Sequence, residues 1–239
     1  MKRILLAGVL LISAGAQANI LIDGNAVSLD KQQPVYSEHY KIEQGEDGRN
    51  LRAEVEYRYP NGQVFATKSI TYSDKPGMPS IDFTDLRSGV RTRATPEQDG
   101  IRVEHLRPGK SDVKVVDYPR KRPVVVDAGF DRFVKDNWQR LLDGEKLHFA
   151  FFPIDRGELV DFSLKLVSQN QQQVELKLAP DSFLVSLVVD PITLLYDSQQ
   201  RLLEYRGLTN IEQGDHSKLK GKNYLASIRY LYPQNADKK

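Results

Sequence analysis

The sequence of 239 residues contains no cysteine. This absence excludes disulfide bonds, redox-active thiols and thiolate metal sites, so the fold must be stabilised by a hydrophobic core. The sequence also lacks a Walker-type phosphate loop, a Gly-x-Ser-x-Gly nucleophile elbow and a Gly-x-Gly-x-x-Gly dinucleotide motif. Its four histidines, His39, His105, His148 and His216, are too widely spaced for a helical zinc motif. We therefore expect a protein that is not an enzyme and that holds neither a metal nor a cofactor.

The chain without its first 18 residues also lacks an excess of positive or negative charge. The whole sequence has a formal charge of +2, and residues 1–18 contribute Lys2 and Arg3 without any acid. Without this segment, 32 basic residues face 32 acidic residues. Proteins that bind nucleic acids normally carry a basic excess. We therefore expect no nucleic-acid partner.

Long hydrophobic runs are confined to the start of the sequence. Lys2 and Arg3 precede an apolar run over residues 4–14, and Ala16-Gln17-Ala18 follows as a small-x-small site. This pattern predicts a secretory signal peptide over residues 1–18, with cleavage after Ala18 and export to a bacterial periplasm. The alternative is a membrane anchor, but the run is shorter than the roughly 20 residues that a spanning helix needs. No later run is long enough, so we expect no transmembrane segment in the mature chain.

The mature chain is dominated by patterns of alternating polar and apolar residues. The clearest covers residues 51–59, LRAEVEYRY, and the turn Pro60-Asn61-Gly62 follows it. Alternation with period 2 predicts a strand with one buried face, and Asn-Gly predicts a hairpin. About ten such segments follow one another in hairpin order. The sequence therefore predicts a mainly β fold, a curved antiparallel meander that forms either a half-barrel or a sandwich. We expect one β-rich domain over residues 19–233 and a disordered tail over residues 234–239.

One stretch, residues 127–144, has helical periodicity instead. Its apolar residues recur along one face at a spacing of 3.6 residues: Phe130, Phe133, Val134, Trp138, Leu141 and Leu142. Asp127 is a candidate N-cap, and Gly144 is a candidate for the left-handed residue that ends a helix. The stretch predicts one long amphipathic helix packed on the sheet.

Aromatic side chains cluster in the C-terminal two-thirds of the sequence. A curved sheet with a helix across it can enclose an apolar cavity, the usual kind of ligand site. The candidate lining residues are Phe133, Trp138, Leu142, Phe149, Phe151 and Phe162. We therefore expect a non-enzymatic periplasmic protein that binds an apolar or amphipathic, lipid-like ligand under the helix. The alternative is an envelope interaction or structural protein with a packed core and a protein partner at a sheet edge. A hydrolase is the least favoured function.

Three stretches resemble a group of uncharacterised secreted proteobacterial proteins of unknown function. They are AGFDRFVKDNWQRLLDGE, LHFAFFPIDR and DPITLLYDSQQRLLEYRGLTNI. The architecture is similar to that of periplasmic half-barrels that carry lipids or lipoproteins. This resemblance implies a curved antiparallel sheet closed by helices, and it assigns no catalytic residue.

Overall fold

Fifteen strands form one sheet in the computed structural model, which describes residues 18–75, 77–119, 122–181, 191–214 and 219–233. The predicted signal peptide up to residue 17, the predicted tail and His216 lie outside the described residues. The first eight strands are β1 (Ala18–Ser28), β2 (Pro34–Gln44), β3 (Asn50–Arg58), β4 (Val64–Thr71), β5 (Ser80–Asp85), β6 (Val90–Pro96), β7 (Gly100–Arg107) and β8 (Lys110–Asp117).

The second half of the chain begins with a short strand, continues through a helical segment and returns to strands. A 3₁₀ turn, Asp127–Gly129, precedes the helical segments. The remaining elements are β9 (Val124–Val126), α1 (Phe130–Asp136), α2 (Trp138–Leu142), β10 (Leu147–Phe152), β11 (Val160–Gln169), β12 (Gln173–Pro180), β13 (Ile192–Asp197), β14 (Leu202–Gly214) and β15 (Leu219–Leu231). In the described residues, no helix is both long enough and apolar enough to span a bilayer.

The strand order shows how the two halves of the chain join. It runs β8-β7-β6-β5-β4-β3-β2-β1-β15-β14-β13-β12-β11-β10-β9, so β1 and β15 meet in the middle of the sheet. All neighbouring strands are antiparallel except β9 and β10, which are parallel. The predicted antiparallel meander is confirmed, but the expected number of about ten strands is too low. Segments such as β6, VRTRATP, have too few large apolar residues to give a clear alternating pattern.

The sheet is open and strongly curved. Arg87 follows β5, and its Nη1 donates a hydrogen bond of 2.9 Å to the carbonyl oxygen of Glu212 in β14. These strands are six positions apart in the sheet, about 29 Å in a flat arrangement. The sheet must therefore curl until its two halves face each other. This single curved sheet excludes the sandwich alternative, and its end strands β8 and β9 do not pair with each other.

The helical stretch is shorter and less regular than the sequence predicts. Asn137 separates α1 from α2, so the prediction of one long helix is wrong. The Asn137 side chain donates a hydrogen bond of 2.9 Å to the carbonyl oxygen of Phe133. The same carbonyl also accepts a hydrogen bond of 3.2 Å from the backbone N–H of Asn137, which is shared with the carbonyl of Val134. Asn137 has φ −109° and ψ 14°, outside the α-helical region, and this change of backbone conformation ends α1. The predicted end is confirmed, because Gly144 has a φ of +86° and its N–H bonds to Leu141.

The apolar face of α1 and α2 covers the C-terminal half of the sheet, as the periodicity predicts. Val134 and Leu141 are fully buried. They pack in one cluster with residues of β10, β11, β12 and β13, including Phe149 and Leu164. On the opposite side of the helix, Lys135 pairs with Asp131 at 2.7 Å. The helical segments therefore act as a cover on one half of the curved sheet.

Candidate ligand-binding hollow

A hollow of about 250 Å³ lies where the two halves of the sheet face each other. Residues of β2, β3 and β4 line it from the N-terminal half, and residues of β10, β11, β12 and β13 line it from the C-terminal half. Residues of β14 and β15 and of the turn after β10 also line it, as do Asp127, Ala128 and Phe130 at the start of the helical stretch. None of the residues of α2 contributes to it.

The C-terminal half supplies an apolar wall. Phe151 in β10 and Phe162 in β11 meet edge to face, with ring centroids 6.0 Å apart. Phe130 adds a third ring, 6.1 Å from that of Phe151. Further apolar side chains extend this wall along the neighbouring strands: Val160, Leu178 and Ile192. The wall can therefore bury a hydrocarbon chain.

The N-terminal half supplies a polar wall. Glu38 lies on the inward face of β2 between Tyr36 and Tyr40, at a position where alternation would place an apolar residue. Lys68 occupies the equivalent position in β4, between Ala66 and Ile70. Both charged side chains are therefore held inside by the same period-2 geometry that buries their apolar neighbours.

Lys68 is neutralised by an acid from the other half of the chain. Its Nζ lies 2.8 Å from Oδ1 of Asp127, and the exposed fractions of the two side chains are 5% and 7%. Burial alone would lower the pKa of Lys68, but Asp127, together with Tyr57 and Glu38, outweighs this effect and raises the pKa above its ordinary value. The ammonium group therefore stays charged. The second oxygen of Asp127 accepts a hydrogen bond of 3.4 Å from Asn210 in β14.

The prediction of Asp127 as an N-cap is wrong. It makes no capping hydrogen bond to the helical segments, because both of its oxygens point to other partners. Its φ is +35°, a costly conformation for a residue other than glycine. The following turn is held by a close approach, because a Cβ on Gly129 would lie 2.2 Å from the carbonyl oxygen of Gly77. The backbone is thus fixed in the conformation that aims Asp127 at Lys68.

Glu38 is buried among tyrosines, with an exposed fraction of 4%. Its Oε2 accepts hydrogen bonds from Tyr40 at 2.7 Å and from Tyr230 at 3.2 Å. Burial raises the pKa of Glu38, while the bond from Tyr40 and the charge of Lys68 oppose this shift. Burial also raises the pKa values of the two tyrosines, so their phenols stay neutral donors.

An outer groove of about 710 Å³ adjoins the hollow. The two spaces share Asp155, Arg156, Leu208 and Asn223 in their linings. Asn223 donates a hydrogen bond of 2.7 Å to Asp155 in the turn between β10 and β11. The two spaces therefore meet at a polar boundary.

The six residues proposed from the sequence divide into two groups. Phe151 and Phe162 line the hollow. The other four belong to the packed cluster between the helical segments and the sheet: Phe133, Trp138, Leu142 and Phe149. Phe149 is fully buried, with its ring centroid 4.7 Å from that of Phe133. The interior beneath α1 and α2 is therefore filled by side chains.

The polar wall was not predicted, although the sequence contains a signal for it. Glu38 and Lys68 each interrupt an apolar face of alternating residues. A charged residue at such a position is buried, and it needs a partner. Of the described histidines, His39 pairs with Asp23 and His148 with Asp181. No group of three or more potential metal ligands occurs in the described part of the chain.

Comparisons with known proteins give no family for the chain. Neither a protein-family model nor a curated protein matches it. A crystal structure of a β-barrel-like protein of domain of unknown function DUF1849 from Brucella abortus has a TM-score of 0.42 and 8% sequence identity, over 90% of this chain and 95% of that chain. A porin-like protein from Bacteroides uniformis has a TM-score of 0.30 and 9% identity, over 89% and 95%. At these scores neither similarity supports an argument about function.

The buried ion pair predicts a large and coupled effect on stability. Lys68→Met leaves Asp127 charged and without its cation, so we expect a loss of about 3–5 kcal/mol in the free energy of unfolding. The double variant Lys68→Met/Asp127→Asn should lose less than the sum of the two single losses, measured by urea unfolding. The control is Lys135→Met in the exposed pair on α1, which should cost no more than about 1 kcal/mol. Equal losses for Lys68→Met and Lys135→Met would contradict the assignment.

The raised pKa of Glu38 predicts a pH-dependent effect of Glu38→Gln. Because Glu38 ionises less readily in the folded protein than in the unfolded chain, its contribution to stability is fully present below the unfolded pKa of about 4.3 and is lost as the pH rises through the folded pKa. Relative to wild type, Glu38→Gln should therefore gain stability between pH 4 and pH 8 in urea titrations. A constant difference across this range would contradict the raised pKa of Glu38 in the folded protein.

Proposed function

We propose that this protein is a non-enzymatic binding protein of the periplasm that holds an amphipathic ligand in the hollow. The observation that carries the proposal is the pairing of two chemically different walls around one space. Phe151 and Phe162 offer apolar surface on one side, and Glu38 and Lys68 offer charge on the other. A purely apolar ligand would leave the polar wall without partners. A purely polar ligand would bury no apolar surface against the apolar wall. The periplasmic location rests on the signal peptide predicted from residues 1–18.

The size of the hollow limits the ligand. Its volume of about 250 Å³ is slightly below the roughly 300–1,000 Å³ of sites for drug-sized molecules. A short hydrocarbon chain with a small head group fits this space. A longer chain would have to pass the boundary at Asp155 and Asn223 and continue in the outer groove.

The second candidate function, binding of a protein at a sheet edge, is supported by β8. This strand ends the sheet, and its Val113 and Val115 are 54% and 51% exposed. Lys110, Asp112 and Lys114 alternate with these valines along the same strand. Charged side chains on an edge strand discourage pairing with another strand. Ligand binding in the hollow is therefore better supported than protein binding at β8.

Filling the hollow should abolish ligand binding without unfolding the protein. Val160→Trp places a large ring in the lining of the hollow, whereas Val167→Trp places the same ring on the same strand at a site that is 50% exposed. Native mass spectrometry of protein purified from the periplasm should show a bound small molecule for the wild type and for Val167→Trp. Val160→Trp should show the mass of the bare chain.

A thermal measurement provides the second readout. A ligand that binds only the folded state stabilises it by about 2.7 kcal/mol at a concentration of 100 times its Kd. A panel of short amphiphiles should therefore raise the melting temperature of the wild type and of Val167→Trp, but not of Val160→Trp. If all three proteins show the bare mass and no amphiphile raises any melting temperature, the proposal is wrong.

A further inference from the structure

The charges around the hollow do not balance. Three acids, Glu38, Asp127 and Asp155, and two bases, Lys68 and Arg156, line it. Asp127 is neutralised by Lys68 at 2.8 Å, whereas Glu38 forms no ion pair with any described residue. A buried carboxylate without a cation of its own is costly, and a cationic group on a ligand would offset this cost.

One carboxylate oxygen of Glu38 lacks a hydrogen-bond donor among the described residues. The hydroxyls of Tyr40 and Tyr230 both donate to Oε2, and the nearby hydroxyl of Tyr36 also helps to lower the pKa of the carboxyl. The other oxygen, Oε1, accepts no hydrogen bond from a described residue, although Glu38 is 96% buried and lines the hollow. Charge-assisted hydrogen bonds to a carboxylate are about twice as strong as neutral ones. The free oxygen is therefore a specific acceptor for an N–H donor that carries a positive charge.

Aromatic rings surround this carboxylate. Tyr40, Tyr57, Tyr205 and Tyr230 all line the hollow. Ring faces attract ammonium groups that lie within about 6 Å of the centroid. The polar wall already holds one such contact, because Nζ of Lys68 lies 6.0 Å from the centroid of the Tyr57 ring. The wall thus combines an acid with rings that favour a cation.

A glycine makes the convergence of these groups possible. Glu38 in β2 lies opposite Gly24 in β1, which lies opposite Tyr230 in β15. A Cβ on Gly24 would approach the Tyr230 ring to 2.9 Å, closer than real contacts allow. The missing side chain lets Tyr230 lean across β1 and reach Glu38 from two strands away.

From these contacts we infer that the hollow selects an amphiphile whose head group is a protonated amine. The head lies against Glu38 and the tyrosines, and the hydrocarbon chain lies against Phe151 and Phe162. This inference rests on the ligand-binding function proposed above and adds the charge of the ligand to it. A carboxylate head would face Glu38 with a like charge, and Lys68 is already paired with Asp127.

Three probes with the same eight-carbon chain separate the charge of the head from binding in general. They are octylamine, octan-1-ol and octanoate, titrated into the full chain by isothermal titration calorimetry at pH 7. We expect octylamine to bind the wild type about tenfold more tightly than octan-1-ol, and octanoate to bind more weakly still. In Glu38→Gln, the advantage of octylamine over octan-1-ol should shrink to about twofold or less. Glu43 is also in β2 but does not line the hollow, so the control Glu43→Gln should keep the wild-type order of the three affinities.

The outcomes distinguish this inference from the proposed function. If octan-1-ol or octanoate binds the wild type as tightly as octylamine, the inferred amine head is wrong, while ligand binding by the hollow stands. If Glu38→Gln keeps the full preference for octylamine, the inference is also wrong, because the preference then arises elsewhere. If no probe binds, both the inference and the proposed function fail.

Discussion

The architecture around the hollow depends on the buried ion pair between Lys68 and Asp127. Lys68 belongs to the N-terminal half of the sheet, Asp127 starts the helical stretch, and Asn210, which bonds to the same carboxylate, belongs to the C-terminal half. The Asp127 carboxylate therefore joins three separate parts of the chain, its own segment and the two that it contacts. Taking two charges out of water is expensive, so a buried pair is weak as a source of net stability. Its effect here is to fix the relative position of the groups that line the hollow.

This constraint explains why the interior is not filled throughout. Beneath α1 and α2, apolar side chains such as Val134 and Phe149 pack to complete burial. Beside the 3₁₀ turn, Glu38 and Lys68 keep their hydrogen-bonded and charged groups in fixed positions. Apolar side chains from the opposite wall cannot close onto these groups without removing their remaining polar contacts. The apolar wall and the polar wall therefore remain separated by a space.

The sequence predicts the parts of this structure that depend on local periodicity. The alternation over residues 51–59 predicts β3, and the 3.6-residue spacing predicts that Val134 and Leu141 are buried. The break lies at Asn137, a polar residue whose backbone leaves the helical conformation, so the apolar spacing does not reveal it.

The polar wall depends instead on contacts across long distances in sequence. Lys68 and Asp127 are 59 residues apart, and Tyr230 and Glu38 are 192 residues apart. Phe151 and Phe162 were predicted as lining residues, and they lie at the hollow because β10 and β11 are adjacent. The partners of Glu38 follow only from the meeting of β1 with β15, which local patterns do not specify.

Binding of an amine in the hollow is tested most directly by a crystal structure of the protein with 8-bromooctylamine, in which anomalous scattering locates the bromine. We expect a bromine peak against Phe151 and Phe162, with the amine nitrogen within hydrogen-bond distance of Glu38. A bromine peak outside the hollow, or an amine directed away from Glu38 with the chain inside, would contradict it.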